Sequence, residues 1–564
     1  MLRYPTISRF QKLAMLLALL FCANAEAHQL LTRWEVTATD GSGLVQGDPT
    51  TITWGFVPDG TPLASGGTSS LISSLDSAFG EENTGPDLTN RTWWQHFDAS
   101  FERWSQVAAL SYEYEPNDDG SIAGLVNFGT QLTPGFLGVR ADVRIGGQFV
   151  DGPSNVLAFN FFPESSGEMV FDTADGAFFT NPFDDFVGFR NVIAHEHGHG
   201  LGIRHVESED GRFLLEPFVD ISFDGPQFDD ILAVHRGYGD FYEKKFNGVG
   251  AQEGNEIFQN SVPLGIVPSS GIVEIGTDAR PTPGGRVREV QPEDVDFVSI
   301  DGIDDVDFFS FEVPAQATVD ITLTPQGATY LESEQTGDPD TQTLYETSAF
   351  NNLSIQLFGV DGTTQIASNN DSGIGESEML NNIEIGAGTY FVRVDGELDD
   401  VQFYDLVIGA EYEVPSNGDF NADGQFDCSD INALVAEIAS GGGDASFDIT
   451  GDGLVDSDDL DQWLVEGAAA NGIAGPYLVG DADLDGFVDL SDFNIWNTNQ
   501  LTNTAEWCSG DFNADGFIDV SDFNLWNNNN FTASGDHLQA VPEPSGFGIA
   551  LLGLLATWCT RRRK

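Results

Sequence analysis

Hydrophobic and polar positions change period along the chain, and each change marks a different kind of element. Thr51-Ile52-Thr53-Trp54-Gly55-Phe56 alternates with period two and predicts a strand. Trp94, Phe97, Phe101, Trp104 and Val107 recur at helical spacing and predict a helix within Trp93 to Ala109, and a second helix is expected from Phe189 to Leu201. Residues 28–243 therefore read as an α+β domain. From 246 to 412 the period stays at two, as in Asp307-Phe308-Phe309-Ser310-Phe311-Glu312-Val313 and Thr389-Tyr390-Phe391-Val392-Arg393-Val394. Gly, Asn and Asp turns separate these runs, so an all-β sandwich is expected there. Between 416 and 531 short apolar helical segments, such as Ile431, Leu434 and Val435, each follow an Asp-rich loop, which predicts small α-helical modules. The chain is thus expected to be multidomain.

Both ends carry short apolar runs beside basic residues. Arg3, Arg9 and Lys12 precede Leu13 to Phe21, and small-x-small sites follow at Ala23-Asn24-Ala25 and Ala25-Glu26-Ala27. Residues 1–27 therefore read as a secretory signal peptide, too short in its apolar part for a comfortable membrane span. At the other end Gly546 to Cys559 precedes Arg561-Arg562-Arg563-Lys564, the pattern of a short transmembrane segment with its end held on the cytoplasmic side.

Charge narrows the range of partners. Across 564 residues, 22 Lys and Arg face 90 Asp and Glu, a net charge of −68. Such a surface repels nucleic acid and anionic lipid and suits calcium or a salty medium. Of four cysteines, Cys22 and Cys559 lie in the terminal segments, leaving Cys428 and Cys508, whose pairing in an oxidising compartment stays open. No cysteine lies between 28 and 427, so the α+β domain folds without disulfides.

The chemistry concentrates in Asn191 to Val206, NVIAHEHGHGLGIRHV. His195 and His199, four apart on a helix, share one face and can bind one zinc, with Glu196 beside them as general base. Gly200 and Gly202 are expected to break the helix and bring His205 round as third ligand. Three protein ligands leave a fourth position for water, the mark of a catalytic rather than a structural zinc. The full string His-Glu-x-x-His-x-x-Gly-x-x-His resembles the metzincin signature. The surroundings, Ala141 to Phe179 and Phe228 to Asp240, resemble the matrixin branch. That resemblance implies a zinc endopeptidase acting on proteins or peptides. It also implies a calcium loop at Asp151 and Gly152, held by Asp172 and Asp175. Three departures from the matrixin pattern stand out. Leu215 takes the place of the methionine beneath the zinc. Phe159 and Val170 replace two histidines that bind a structural zinc in many matrixins, so one zinc is expected. No cysteine-switch propeptide precedes the domain.

Downstream, "DDVDFFSFEVPAQATVDITL", "GAGTYFVRVDG" and "YDLVI" resemble the bacterial pre-peptidase C-terminal domain, a β-sandwich appended to secreted peptidases. Four further segments share one spacing: Asp419, Asn421, Asp423 and Asp430; Asp448, Thr450, Asp452 and Asp459; Asp481, Asp483, Asp485 and Asp492; Asp511, Asn513, Asp515 and Asp522. Oxygen ligands at loop positions 1, 3, 5 and 12, with glycine at 6, form an EF-hand-type calcium loop. Each loop is followed but not preceded by a helix. The arrangement resembles two pairs of dockerin repeats, which implies a cohesin-like docking partner. Val541-Pro542-Glu543-Pro544 with the apolar run and basic end (541–564) resembles the PEP-type C-terminal sorting signal of bacteria. It implies cleavage by an exosortase and delivery to the cell surface or extracellular matrix. The competing expectation is a calcium-dependent scaffold in which the peptidase domain is minor or inactive.

Overall fold

The computed structural model describes residues 30–82, 85–123, 135–209, 212–244, 254–335, 342–412, 418–421 and 425–534. The expected signal peptide, the C-terminal tail and Asp423 lie outside the described residues. The chain divides into two compact units, the first comprising residues up to Val313 and Thr318–Glu411, the second containing everything from Tyr412 onward.

The first unit opens with a five-stranded sheet. Its strands are β1 (Thr50–Phe56), β2 (Leu110–Tyr114), β3 (Val143–Gln148), β4 (Ala158–Asn160) and β5 (Met169–Asp172), in spatial order β2-β1-β3-β5-β4. The first four strands in that order run parallel, while β4 is antiparallel to β5 at the edge. Three helices accompany the sheet: α1 (Leu71–Phe79), α2 (Trp94–Val107) and α3 (Val187–Leu201). The helical stripe on α2 buries Phe97, Phe101 and Trp104 in a core with Trp54, Phe171, Phe189 and Val192. Helix α3 has buried residues on nearly every face, which explains why its hydrophobic period is weak. The short strand β6 (Val206–Glu207) and helix α4 (Phe228–Tyr238) complete this region.

The sandwich follows as expected. One sheet contains β7 (Val262–Ile266), β10 (Val306–Val313), β17 (Gly388–Gly396), β14 (Leu353–Phe358) and β15 (Gln365–Asn369). The other contains β8 (Gly271–Ile275), β18 (Gln402–Glu411), β11 (Ala317–Pro325) and β16 (Glu378–Ile385), with the short strand β9 (Ser299–Ile300) on β18. The alternation in β10 is realised in its burial, with Asp307, Phe309, Phe311 and Val313 inside.

The sequence reading set a boundary near residue 245, but the two domains share a hydrophobic core. Phe213, Phe228 and Ile231 of the α+β domain pack with Phe297, Tyr330 and Phe403 of the sandwich. A hairpin, β12 (Thr329–Glu334) and β13 (Thr343–Glu346), leaves the sandwich and adds β6 to its own pairing: Ser333 faces Glu207 and Glu334 faces Val206. The same junction buries five carboxylates, Asp240 and Glu243 from the first domain and Asp301, Asp305 and Asp307 from the second.

In the second unit, α5 (Cys428–Ser440), α6 (Ser457–Ala470), α7 (Leu490–Asn499) and α8 (Val520–Asn529) each follow one of the Asp-rich loops. The two helix pairs share one core around Trp463, Trp507 and Trp526. Cys428 and Cys508 form a disulfide across 80 residues, resolving the question left open by sequence.

Candidate metal centre

Helix α3 delivers His195 and His199 about one turn apart, with Glu196 next to His195 in the chain. It ends at Gly202, whose φ of +104° is left-handed and whose position leaves no room for a side chain: a Cβ there would lie 1.9 Å from the Thr32 carbonyl oxygen. Gly200, expected to help break the helix, lies within it, and its carbonyl accepts the Trp34 indole N–H at 2.9 Å. Beyond Gly202 the chain turns back and presents His205.

The three imidazoles converge. Nε2 of His205 lies 3.1 Å from Nε2 of His195 and 3.1 Å from Nε2 of His199. Each Nδ1 faces an oxygen: His195 the Leu214 carbonyl at 2.6 Å, His199 the Ile203 carbonyl at 2.7 Å, His205 the Gln335 side-chain oxygen at 2.8 Å. An Nδ1–H held in this way leaves the Nε2 lone pair pointing to the centre. Burial lowers all three basicities, His195 to about 3, and the neighbouring rings add to this at His195 and His199, in keeping with the neutral rings a metal requires. The three-imidazole donor set fits a zinc ion.

Glu196 stays apart from this triad. Its carboxyl is buried, which pushes it up to about 8 although it accepts the Asn160 main-chain N–H of β4. Its Oε2 has no hydrogen-bond partner among the described residues. His197, next in the chain, has a structural role: its Nε2 lies 2.7 Å from the Tyr112 hydroxyl, and its ring sits against Phe101.

Leu215 lies under the helix, fully buried, with its Cδ2 2.8 Å from where a Cβ on Gly198 would stand. The Asp230 carboxylate accepts N–H from Leu214 at 2.7 Å and Leu215 at 3.0 Å, fixing the turn that carries the His195 acceptor. Phe159 and Val170 are directly paired across β4 and β5. They line a small apolar cluster with Val57 and Leu63.

The loop at Asp151 and Gly152 does close on Asp172, whose Oδ2 accepts their N–H groups at 3.0 and 2.9 Å. Asp175 accepts from Ser154 N–H, and its Oδ2 is buried with no hydrogen-bond partner among the described residues. In the second unit, carboxylate oxygens of Asp481, Asp483 and Asp492 lie within 4.8 Å of one another. Asp430, Asp459, Asp492 and Asp522 each fold back over their loop to accept main-chain N–H groups. Burial and the repulsion of its neighbours raise Asp481 to about 7; Asp511 rises to about 6 for the same reasons. Gly453, Gly486 and Gly516, at loop position six, have φ of +86°, +89° and +83°, the turn that position requires.

Two features escaped the sequence reading. Gln335 lies 130 residues from His205, and only strand pairing brings them together. The junction carboxylates sit on strand ends and loops with no recognisable spacing, yet Asp240, Glu243 and Asp307 have oxygens within 4.8 Å of one another, as do Glu243, Asp301 and Asp305.

Comparison with known proteins agrees with this geometry. Residues 76–239 match the Matrixin family and 305–396 the Bacterial pre-peptidase C-terminal domain. An interstitial collagenase of Bos taurus is 31% identical over 186 residues, which is 32% of this chain and 36% of the collagenase, so the chain spans about a third of that relative. Among solved structures, Myroilysin aligns at 15% identity over 39% of this chain and 66% of its own, with a TM-score of 0.14. A carbohydrate-binding module of Cellvibrio mixtus lichenase 5A aligns at 9% identity over 25% and 98%, also at 0.14. Overlaps this loose carry no argument. The matrixin family is zinc-dependent and hydrolyses peptide bonds, and the triad lies within the matched segment: the chain contains a matrixin-type metallopeptidase domain joined to a pre-peptidase C-terminal domain.

Proposed function

We propose that this protein is a secreted zinc endopeptidase that cleaves extracellular proteins or peptides, with His195, His199 and His205 as zinc ligands and Glu196 as general base. The observation that carries the reading is the convergence of three Nε2 atoms, each ring oriented through its Nδ1, beside a buried carboxyl whose Oε2 has no partner among the described residues. Zinc bound there supplies Lewis acidity toward the scissile carbonyl and toward water. Glu196 takes the proton from the attacking water and delivers it to the leaving amine nitrogen. Strand β4 lies at the sheet edge and pairs only with β5 among the described residues. An extended substrate strand would add beside it, close to Glu196.

The remaining parts of the reading concern location and calcium. A signal peptide (1–27) exports the chain, and the tail (541–564) anchors it transiently until an exosortase-type enzyme cuts near Pro542-Glu543-Pro544. Among the described residues no helix is long and apolar enough to cross a membrane. Calcium occupies the dockerin-like loops and the Asp151 loop, and the loops dock a cohesin-like partner. The test of the catalytic reading is Glu196→Ala. Loss of a positioned general base costs about 100-fold or more in turnover, while zinc content measured by metal analysis stays at the wild-type value. Full activity in this variant would sink the mechanism.

A further inference from the structure

We propose that Gln335, carried by the sandwich, is a positioning residue for the zinc ligand His205, so that the sandwich is a working part of the metal site. The inference rests on the zinc reading above and extends it to a residue outside the matrixin segment.

The argument starts from what an imidazole needs. A ring that gives Nε2 to a metal must carry its proton on Nδ1, and an acceptor there fixes both tautomer and orientation. His195 and His199 obtain that acceptor from main-chain carbonyls of their own domain, Leu214 and Ile203. His205 does not. It follows the helix on an extended segment, only partly buried, and the one oxygen recorded at its Nδ1 among the described residues is Gln335 Oε1 at 2.8 Å.

The position of Gln335 is itself held. It comes directly after β12, whose last two residues pair with β6 in the register Ser333 to Glu207 and Glu334 to Val206. On one side of the pairing Arg204 Nη1 meets Glu334 Oε1 at 3.3 Å. On the other, the Ser208 hydroxyl donates to the Leu331 carbonyl at 2.6 Å, and the Gln342 amide of the returning segment donates to the Glu207 carbonyl at 3.1 Å. The segment 204–208 that carries His205 is therefore bracketed by a hairpin from the other domain. A one-residue slip of that register would turn Gln335 to the opposite face and remove the acceptor. The matrixin-type fold supplies two of the three ring orientations, and the appended domain supplies the third.

The experiment uses the full chain. Zinc affinity is read by competition with a chromogenic chelator, alongside kcat and KM on a peptide substrate, for wild type, Gln335→Ala, the near-isosteric Gln335→Met and Gln335→Glu. Removing an outer partner of a metal ligand weakens metal binding or activity by about 10- to 100-fold. Ala and Met should both show that loss, through zinc affinity and kcat with KM little changed. Glu keeps an acceptor oxygen and should return affinity to within a few-fold of wild type. The melting temperature in chelator should be the same for wild type and Met, because the role exists only toward the metal. Wild-type zinc affinity in both Ala and Met, or equal losses in Met and Glu, would overturn the inference while leaving the zinc reading intact. A wild-type chain that takes up no zinc would overturn the zinc reading, and this inference with it.

Discussion

At the scale of single residues, the site depends on small side chains as much as on its ligands. Gly198 stands inside the ligand helix with Leu215 packed beneath it, leaving 2.8 Å between a new Cβ and Leu215 Cδ2. Gly198→Ala should therefore push Leu215 and the His195 acceptor at Leu214 out of place, costing about 1–3 kcal/mol of stability as overpacking does. Leu215→Met keeps the volume and should cost less than about 1.5 kcal/mol. Denaturant unfolding of both variants checks the pair, and a Gly198→Ala variant as stable as wild type would show that the helix has slack the packing does not reveal. Metal content is a second test. Phe159 and Val170 pair across β4 and β5 in an apolar cluster and offer no donor. Analysis after dialysis against trace-metal-free buffer should give one zinc per chain; two tightly held zincs would refute the single-site reading. His195, Glu196 and His199 were legible in sequence because residues on one helix keep a fixed spacing, and His205 because Gly202 turns the chain back a fixed distance after the helix. The acceptor on Gln335 was not, since it depends on a register set between two domains.

Elements were legible to different degrees for physical reasons. Helix α2 and the sandwich strands each have one face in the core, so their periods show. Helix α1 and the hairpin of β12 and β13 leave little trace in the sequence: α1 is short, and the hairpin's pattern reflects pairing with β6 rather than a sandwich face. The loop-helix modules were legible because one Asp- and Gly-spaced loop recurs four times, each time followed by an apolar helix. Each loop closes through its last Asp, which accepts N–H groups from the loop and, as in Asp492 with Asp489, from its own helix start. These carboxylates crowd together, and burial and repulsion raise Asp481 to about 7. A cation removes that repulsion. Calcium at about 100 times its dissociation constant should stabilise the unit by about 2.7 kcal/mol per site. Calorimetry of residues 416–531 in calcium and in chelator measures this, and identical melting temperatures would refute calcium binding. The second loop, with Thr450 where others have Asp or Asn, should contribute least.

At the scale of the whole molecule, the least legible feature is the junction of the first two domains, which the sequence divides between residues 243 and 246. A shared core joins them, and within it five carboxylates face each other. Asp240 accepts the Ser299 N–H at 3.0 Å, and Asp307 accepts from the Tyr404 hydroxyl at 2.5 Å and the Asn255 amide at 2.6 Å. Burial comes first for all five and lifts Asp240 and Asp301 to about 7, with Asp296 adding repulsion at Asp240 and Asp240 adding it at Asp301; burial and repulsion from the other carboxylates of the cluster raise Glu243, Asp305 and Asp307 well above the usual range. Arg236 and Arg33 pull Asp301 the other way without cancelling the effect. The sign of the consequence follows from linkage. In the unfolded chain these groups titrate near about 4, so between about pH 4 and 7 the folded state binds more protons than the unfolded one. Their contribution is fully favourable below about 4 and is lost as pH rises through the folded values. In chelator-treated protein, the melting temperature of the peptidase–sandwich unit should therefore fall between pH 5 and pH 8. Asp305→Asn removes one buried charge while keeping its shape, so it should flatten that slope and raise stability at pH 8. Because the carboxylates come from both domains, the whole unit should shift as one transition. A melting temperature that rises with pH, or two transitions of which only one responds, would show that the cluster does not couple the domains.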